Sequence, residues 1–93
     1  MEITGKIIAV LDKNSGISSK TGNAWSSQDY VLETDERYPR RMCFNVYGED
    51  KINKFRLCLG EKVTVFFDIN CHEYNGSWFN KISAWDVRRE TLL

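Results

Sequence analysis

Apolar residues recur along the chain with two periods, and the places where the period changes divide it into elements. From Arg41 to Tyr47 the alternation is strict, with Met42, Phe44 and Val46 on one face and Arg41, Cys43, Asn45 and Tyr47 on the other. That is the signature of a half-buried strand. Ile3 to Leu11 is rich in β-branched and apolar side chains, with Gly5 and Lys6 placed early, which predicts a first strand curved by a glycine bulge. A second strand fits Ala24 to Thr34. Between these two, Asp12 to Asn23 holds two glycines and several Ser, Asn and Thr residues and predicts a mobile loop. Asp35-Glu36-Arg37-Tyr38-Pro39-Arg40 follows as a charged connection, since its proline cannot lie inside a central strand.

Beyond Gly48 the period lengthens. Ile52, Phe55 and Leu59 recur at helical spacing, with Glu49 and Asp50 at the positive end and Gly60 past the other, so one short amphipathic helix is expected. Lys62 to Glu73 gives a fourth strand and Trp78 to Arg88 a fifth. Asn75-Gly76 between them favours a type I′ hairpin. The end from Arg89 to Leu93 is expected to fray. Three strands, a helix and a two-strand hairpin make an all-β chain with one short helix, in the order of the OB-fold. This is a small, partly open Greek-key barrel whose binding face lies on the second and third strands and their flanking loops. The 93 residues leave room for one domain, 1–93, with an ordered core of about 1–89.

Charge and cysteine content narrow the function classes. With 13 basic and 13 acidic residues the net charge is zero, so no overall field draws in a polyanion and such binding needs a local patch. The signs are unevenly placed: residues 1–36 carry three basic and six acidic side chains, and residues 37–93 carry ten and seven. The densest basic stretch, Arg37-Tyr38-Pro39-Arg40-Arg41, interleaves an aromatic with its cations. Cys43, Cys58 and Cys71 are an odd number in a sequence that opens without an apolar leader, and read as reduced thiols of a cytoplasmic protein. Cys71 and His72 are adjacent and point to opposite faces of a strand, so they make no metal site. No apolar run approaches the length that spans a bilayer. His72 is the sole histidine, and neither a nucleophile elbow nor a P-loop is present, which argues against an enzyme and against a cofactor.

Two resemblances add to this. The stretch from Arg41-Met-Cys-Phe-Asn-Val-Tyr-Gly48 through the helix to Leu59-Gly-Glu-Lys-Val-Thr-Val65 resembles the bacterial single-stranded DNA-binding protein (SSB) family. There, too, a strand ends in an aromatic and glycine, a helix follows, and then a glycine and an alternating strand. The lead-in Glu2-Ile-Thr-Gly-Lys6 and the segment Gly76-Ser-Trp-Phe-Asn80 resemble a family of short, uncharacterised bacterial single-OB proteins, over nearly the whole chain. The SSB resemblance implies base stacking: Tyr47 falls on a family stacking phenylalanine, Tyr38 near a stacking tryptophan, and Tyr74, fourteen residues after Gly60, on another. A fourth platform is replaced by Arg41, whose guanidinium can stack or pair a phosphate.

Single strands are held by flat π surfaces beside cations that follow the phosphates. Tyr47, Tyr38, Tyr74 and Trp25 are the stacking candidates, and Arg37, Arg40, Arg41, Lys20, Lys6 and Lys81 the phosphate candidates. Trp78, Phe79 and Trp85 are assigned to the core or to a subunit interface. The expectation is a sequence-tolerant binder of single-stranded nucleic acid, DNA favoured by the resemblance, working as a homodimer or larger. The alternative is a protein-interaction module that uses the same aromatics as an interface and binds no nucleic acid.

Overall fold

The chain runs β1 (Glu2–Val10), β2 (Asn14–Ile17), β3 (Ala24–Thr34), β4 (Arg41–Tyr47), α1 (Glu49–Phe55), β5 (Lys62–Tyr74) and β6 (Ser77–Arg89) in a computed structural model that describes residues 1–89. Of the segment expected to fray, Arg89 ends β6 and residues 90–93 lie outside the described residues.

β1 is shared by two halves of one curled sheet. Its residues Glu2 to Lys6 pair with β5, and Gly5 to Val10 pair with β3. With β5–β6, β6–β4 and β4–β3 the strands form a ring, β1-β5-β6-β4-β3-β1, and β2 adds to the outer edge of β3. Every pairing is antiparallel except β4–β6, a single parallel bridge between Asn45 and Ser83. The ring is therefore barely closed at that seam.

Gly5 stands where β1 is bonded on both sides, opposite Thr34 and Val63. A Cβ there would lie 2.3 Å from the Glu33 carbonyl oxygen, so the residue serves the close approach of β3. The irregularity of β1 falls between Ile7 and Ala9 instead of at the glycine, which corrects the expected bulge.

Inside the ring pack Ile7, Tyr30, Leu32, Phe44, Val46, Val63 and Val65, all nearly inaccessible. Each contributes on the order of 1.5–3 kcal/mol by leaving water. Ile52 and Phe55 of α1 close one end. The helix stops earlier than its spacing suggested, because Arg56 turns left-handed (φ 44°) and ends it. Leu59 is consequently outside the helix and exposed, and Leu57 is buried in its place.

Two other expectations change. Part of the presumed mobile loop is β2, paired with Ala24 to Ser27 of β3. Along β5 the burial alternates through Val63, Val65 and Phe67 and then ceases, and everything from Asp68 to Tyr74 is exposed. Ser77 to Lys81 of β6 are exposed as well. The last core pair is Phe67 opposite Ala84, and beyond it the hairpin leaves the barrel as a two-stranded ribbon. Asn75 (φ 51°) and Gly76 (φ 80°) turn it as the Asn-Gly pair predicts. Trp78 and Phe79 lie on this ribbon and Trp85 on the barrel's outer surface, so none of the three belongs to the core.

Candidate nucleic-acid interface

One outward surface brings together Tyr47, Phe79 and the half-buried Trp25. On β4 the residues opposite the buried face are Cys43, Asn45 and Tyr47. Tyr47 pairs with Ser27 and Asn45 with Asp29, which puts Trp25, Ser27 and Asp29 of β3 on the same side. The Asn45–Ser83 bridge adds Ser83 and, by alternation, Lys81 and Phe79 of β6. Phe79 lies opposite His72 of β5, with ring centroids 5.9 Å apart.

Two hollows mark this surface, besides a smaller one of about 330 Å³ that Trp25 and Tyr47 share with Glu49. The larger of the two, of about 630 Å³, is lined by Trp25, Tyr47, Lys20, Lys81, Ile17 and Ser27, with two further serines and no carboxylate. Trp25 is half-buried and Tyr47 is 60% exposed. The Trp25 ring lies over Gly16, where a Cβ would stand 2.9 Å from it. This is what fixes the indole flat against the β2–β3 hairpin.

The second hollow, of about 400 Å³, lies between Asp29, Cys43 and Asn45 on one side and His72, Asn80 and Lys81 of the hairpin on the other. Asn45 Nδ2 donates to Asp29 Oδ1 at 2.9 Å, while Asn45 Oδ1 is buried with no hydrogen-bond partner. Burial, and then the negative charge of Asp29, push the Cys43 thiol up from its ordinary value. It is held protonated and poorly nucleophilic.

The remaining candidates lie outside these two hollows. Arg41 shares the β4 face, but its Nε donates to Glu33 Oε2 at 3.1 Å. Arg40 is engaged by Glu36 at 3.0 and 3.2 Å, and the hydrogen bond from Arg40 is the main reason the Glu36 carboxyl sits below its usual range. Arg37 lies 5.4 Å over the ring of Tyr38, which is 76% exposed in the β3–β4 connection. Tyr74 is exposed at the hairpin tip. Lys6 lines a separate hollow with Glu33, Asp35, Glu36 and Lys62. The structure thus joins Trp25, Tyr47, Lys20 and Lys81, and leaves Lys6 among carboxylates in a separate hollow.

Ile17, the Asp29–Asn45 pair and the His72–Phe79 pair were not singled out from sequence. The last was findable, since counting back from the Asn75-Gly76 turn places the two rings opposite each other. Among the described residues no group of three or more His, Cys, Asp or Glu is placed to hold a metal ion, and no helix is long and apolar enough to cross a membrane.

A family described as a domain of unknown function, DUF3127, matches residues 2–88. The chain belongs to this family. No curated protein matches it. Solved structures do resemble this DUF3127 chain. The mitochondrial single-stranded DNA-binding protein of S. cerevisiae superposes with a TM-score of 0.70 at 18% identity, covering 97% of this chain and 96% of that one. An SSB domain from Synechococcus sp. gives 0.64 at 10% identity over 96% and 92%. A small single-stranded DNA-binding protein from Streptomyces coelicolor gives 0.51 at 8% identity over 97% and 92%. At such identities the likeness establishes the fold, and the DUF3127 chain is an OB-fold of the SSB type.

Proposed function

We propose that this chain binds single-stranded nucleic acid, DNA in preference to RNA, along the outward face of β3 and β4 and the adjoining hairpin. The observation that carries this is the 630 Å³ cleft, where Trp25 and Tyr47 stand beside Lys20 and Lys81 with no carboxylate in the lining. Flat rings next to unopposed cations suit stacked bases and the phosphates between them. The preference for DNA comes from the structural neighbours, whose names describe single-stranded DNA-binding proteins. Tyr38 and Tyr74 extend the track at its two ends. Arg37, Arg40 and Arg41 contribute less phosphate contact than their number suggests, because acids already hold Arg40 and Arg41. Few free cations give a weak dependence on salt.

Copies of the chain associate through a different surface. Trp85 is exposed and packs against Phe66 at 5.4 Å, with the Arg88 guanidinium 4.8 Å over the Phe66 ring. These lie on the outer face of the β1-β5-β6 half of the ring, leaving the β3–β4 face free. Linked sites then raise the effective concentration for one long strand.

The test is fluorescence anisotropy of a labelled oligothymidylate titrated with protein at low and moderate salt. Saturable binding that weakens with salt and is absent for duplex is expected. Tyr47→Ala should lower the affinity about 5-fold or more, as the loss of one stack of roughly 1–3 kcal/mol implies, with the oligomeric state unchanged. No binding at roughly 100 μM protein in low salt, where even sequence-independent nucleic-acid binders with dissociation constants of about 10⁻⁴–10⁻⁶ M at physiological salt are seen, overturns the proposal. The aromatic face is then a protein interface.

A further inference from the structure

A carboxylate on a surface that holds single strands repels the backbone, so Asp29 has to face something other than phosphate. It lies partly buried in the middle of the outward face of β3. Among the described residues it takes part in no ion pair. Its hydrogen bond comes from the Asn45 amide, and because a carboxylate only accepts, that bond fixes which way the amide points. The carbonyl oxygen of Asn45 is left without a donor. Asp29 thus offers its remaining acceptor capacity on one wall of the 400 Å³ hollow, next to the cleft of Trp25 and Tyr47 and sharing Lys81 with it, while the Asn45 carbonyl oxygen stays buried behind it.

We propose that this hollow selects one base of the bound strand, guanine, by its Watson–Crick edge. N1–H and the N2 amino group of guanine are adjacent donors, spaced to meet the two oxygens of one carboxylate. No other base offers that pair. Thymine presents a single N3–H between two carbonyls, and cytosine and adenine present an amino group beside a ring-nitrogen lone pair. Each would set an acceptor against Asp29. Single-stranded bases expose these edges to side chains, and the hollow lies in the size range of small-ligand sites. The inference rests on the single-strand reading above and adds one selective position to an otherwise tolerant track.

The test uses oligothymidylates carrying one internal guanine, inosine, 7-deazaguanine, adenine or cytosine, titrated against the whole protein. A two-point base contact discriminates by about 5- to 150-fold, so the guanine oligomer should bind on the order of 10-fold tighter than plain oligothymidylate. Inosine lacks the N2 amino group and should lose most of that gain, while 7-deazaguanine keeps the edge and should retain it. Asp29→Asn should bring the guanine preference, read as the ratio of affinities for the guanine-containing and plain oligothymidylates, to within about 2-fold without lowering the melting temperature. Equal binding of all the oligomers overturns the guanine site and leaves the single-strand reading intact. So does a preference that survives inosine or disappears with 7-deazaguanine. If no oligomer binds, the single-strand reading itself falls. The ligand series decides the matter even if the Asp29 variant does not fold.

Discussion

At the scale of single residues, the candidate interface depends on a few side chains held by what lies beneath or beside them. Trp25 is flat against the surface because residue 16 is a glycine, and a methyl there would stand 2.9 Å from the ring. The ring is half exposed and can swing outward, so Gly16→Ala should leave the melting temperature nearly unchanged and weaken oligothymidylate binding several-fold, up to the roughly 1–3 kcal/mol of one stack. Anisotropy together with thermal melting checks both halves of that statement. Arg41 is the converse case. Glu33, directly across the β3–β4 ladder, holds its guanidinium at 3.1 Å in a pair that is largely exposed on the arginine side. Such a pair adds little to stability, but it removes a cation from the face that needs one. Glu33→Gln should therefore strengthen binding and steepen its salt dependence by up to about one phosphate contact. An unchanged slope in a titration series over salt would show that Arg41 does not reach the strand.

At the scale of elements, α1 shows how a short helix is kept in place. Seven residues are too few for independent helicity, and its Gly48 cap has no side-chain hydrogen bond. Arg89, at the end of β6, supplies what is missing at the other end. Its guanidinium donates to the Phe55 and Arg56 carbonyl oxygens and pairs with Glu61. The hydrogen bond from Arg89 is the first cause of the lowered Glu61 pKa. A carboxyl depressed in the folded state stabilises the fold above its unfolded pKa, near 4.5, and loses that contribution as pH falls through the lower folded value. Arg89→Ala should cost about 1 kcal/mol at neutral pH, after allowance for solvent screening. Melting curves taken below pH ~4.5 should show the wild type converging on the variant. The same region marks where the sequence stops being legible. β4 could be bounded from the chain alone, because one face is buried and the alternation is clean, whereas β3 alternates only from Tyr30 to Thr34 and is bounded by the turn residues on either side. The end of α1 could not, since Leu59 keeps the helical period while the left-handed Arg56 has already ended the helix. β2 was hidden too, its Asn-Ser-Gly-Ile sequence acquiring a strand only from the edge of β3 that it pairs with. Trp25 and Tyr47 could be picked out as exposed aromatics near glycines. The separation of Lys6 could not, because the carboxylates around it come from the end of β3 and the connection after it, which only the β1–β3 pairing brings close.

At the scale of the whole molecule the shape is elongated. The described residues extend 46 × 33 × 21 Å with a Cα radius of gyration of 14.5 Å, against about 12 Å for a compact chain of this length. The difference lies in the hairpin. Strands of 13 residues at about 3.3 Å per residue reach roughly 43 Å, and only the portion up to Phe67 and Ala84 carries core residues. A two-stranded ribbon solvated on both faces gains little from its own side chains, and none of the residues from Asp68 to Ser83 belongs to the buried core. Joining Ile69 to Ile82, which face each other across the hairpin, through a new Asn-Gly turn should leave a cooperative melt within a few degrees of the full chain, because the core and the Ile82 side chain packed against it are kept. The same deletion removes Lys81, His72, Phe79 and Tyr74 from the outward face, so oligothymidylate binding should fall by about 10-fold or more as stacks and a phosphate contact are lost together. If the shortened chain instead loses its cooperative transition, the hairpin supports the barrel. If it melts normally and binds as before, the strand is held by Trp25 and Tyr47 alone and the ribbon serves another contact.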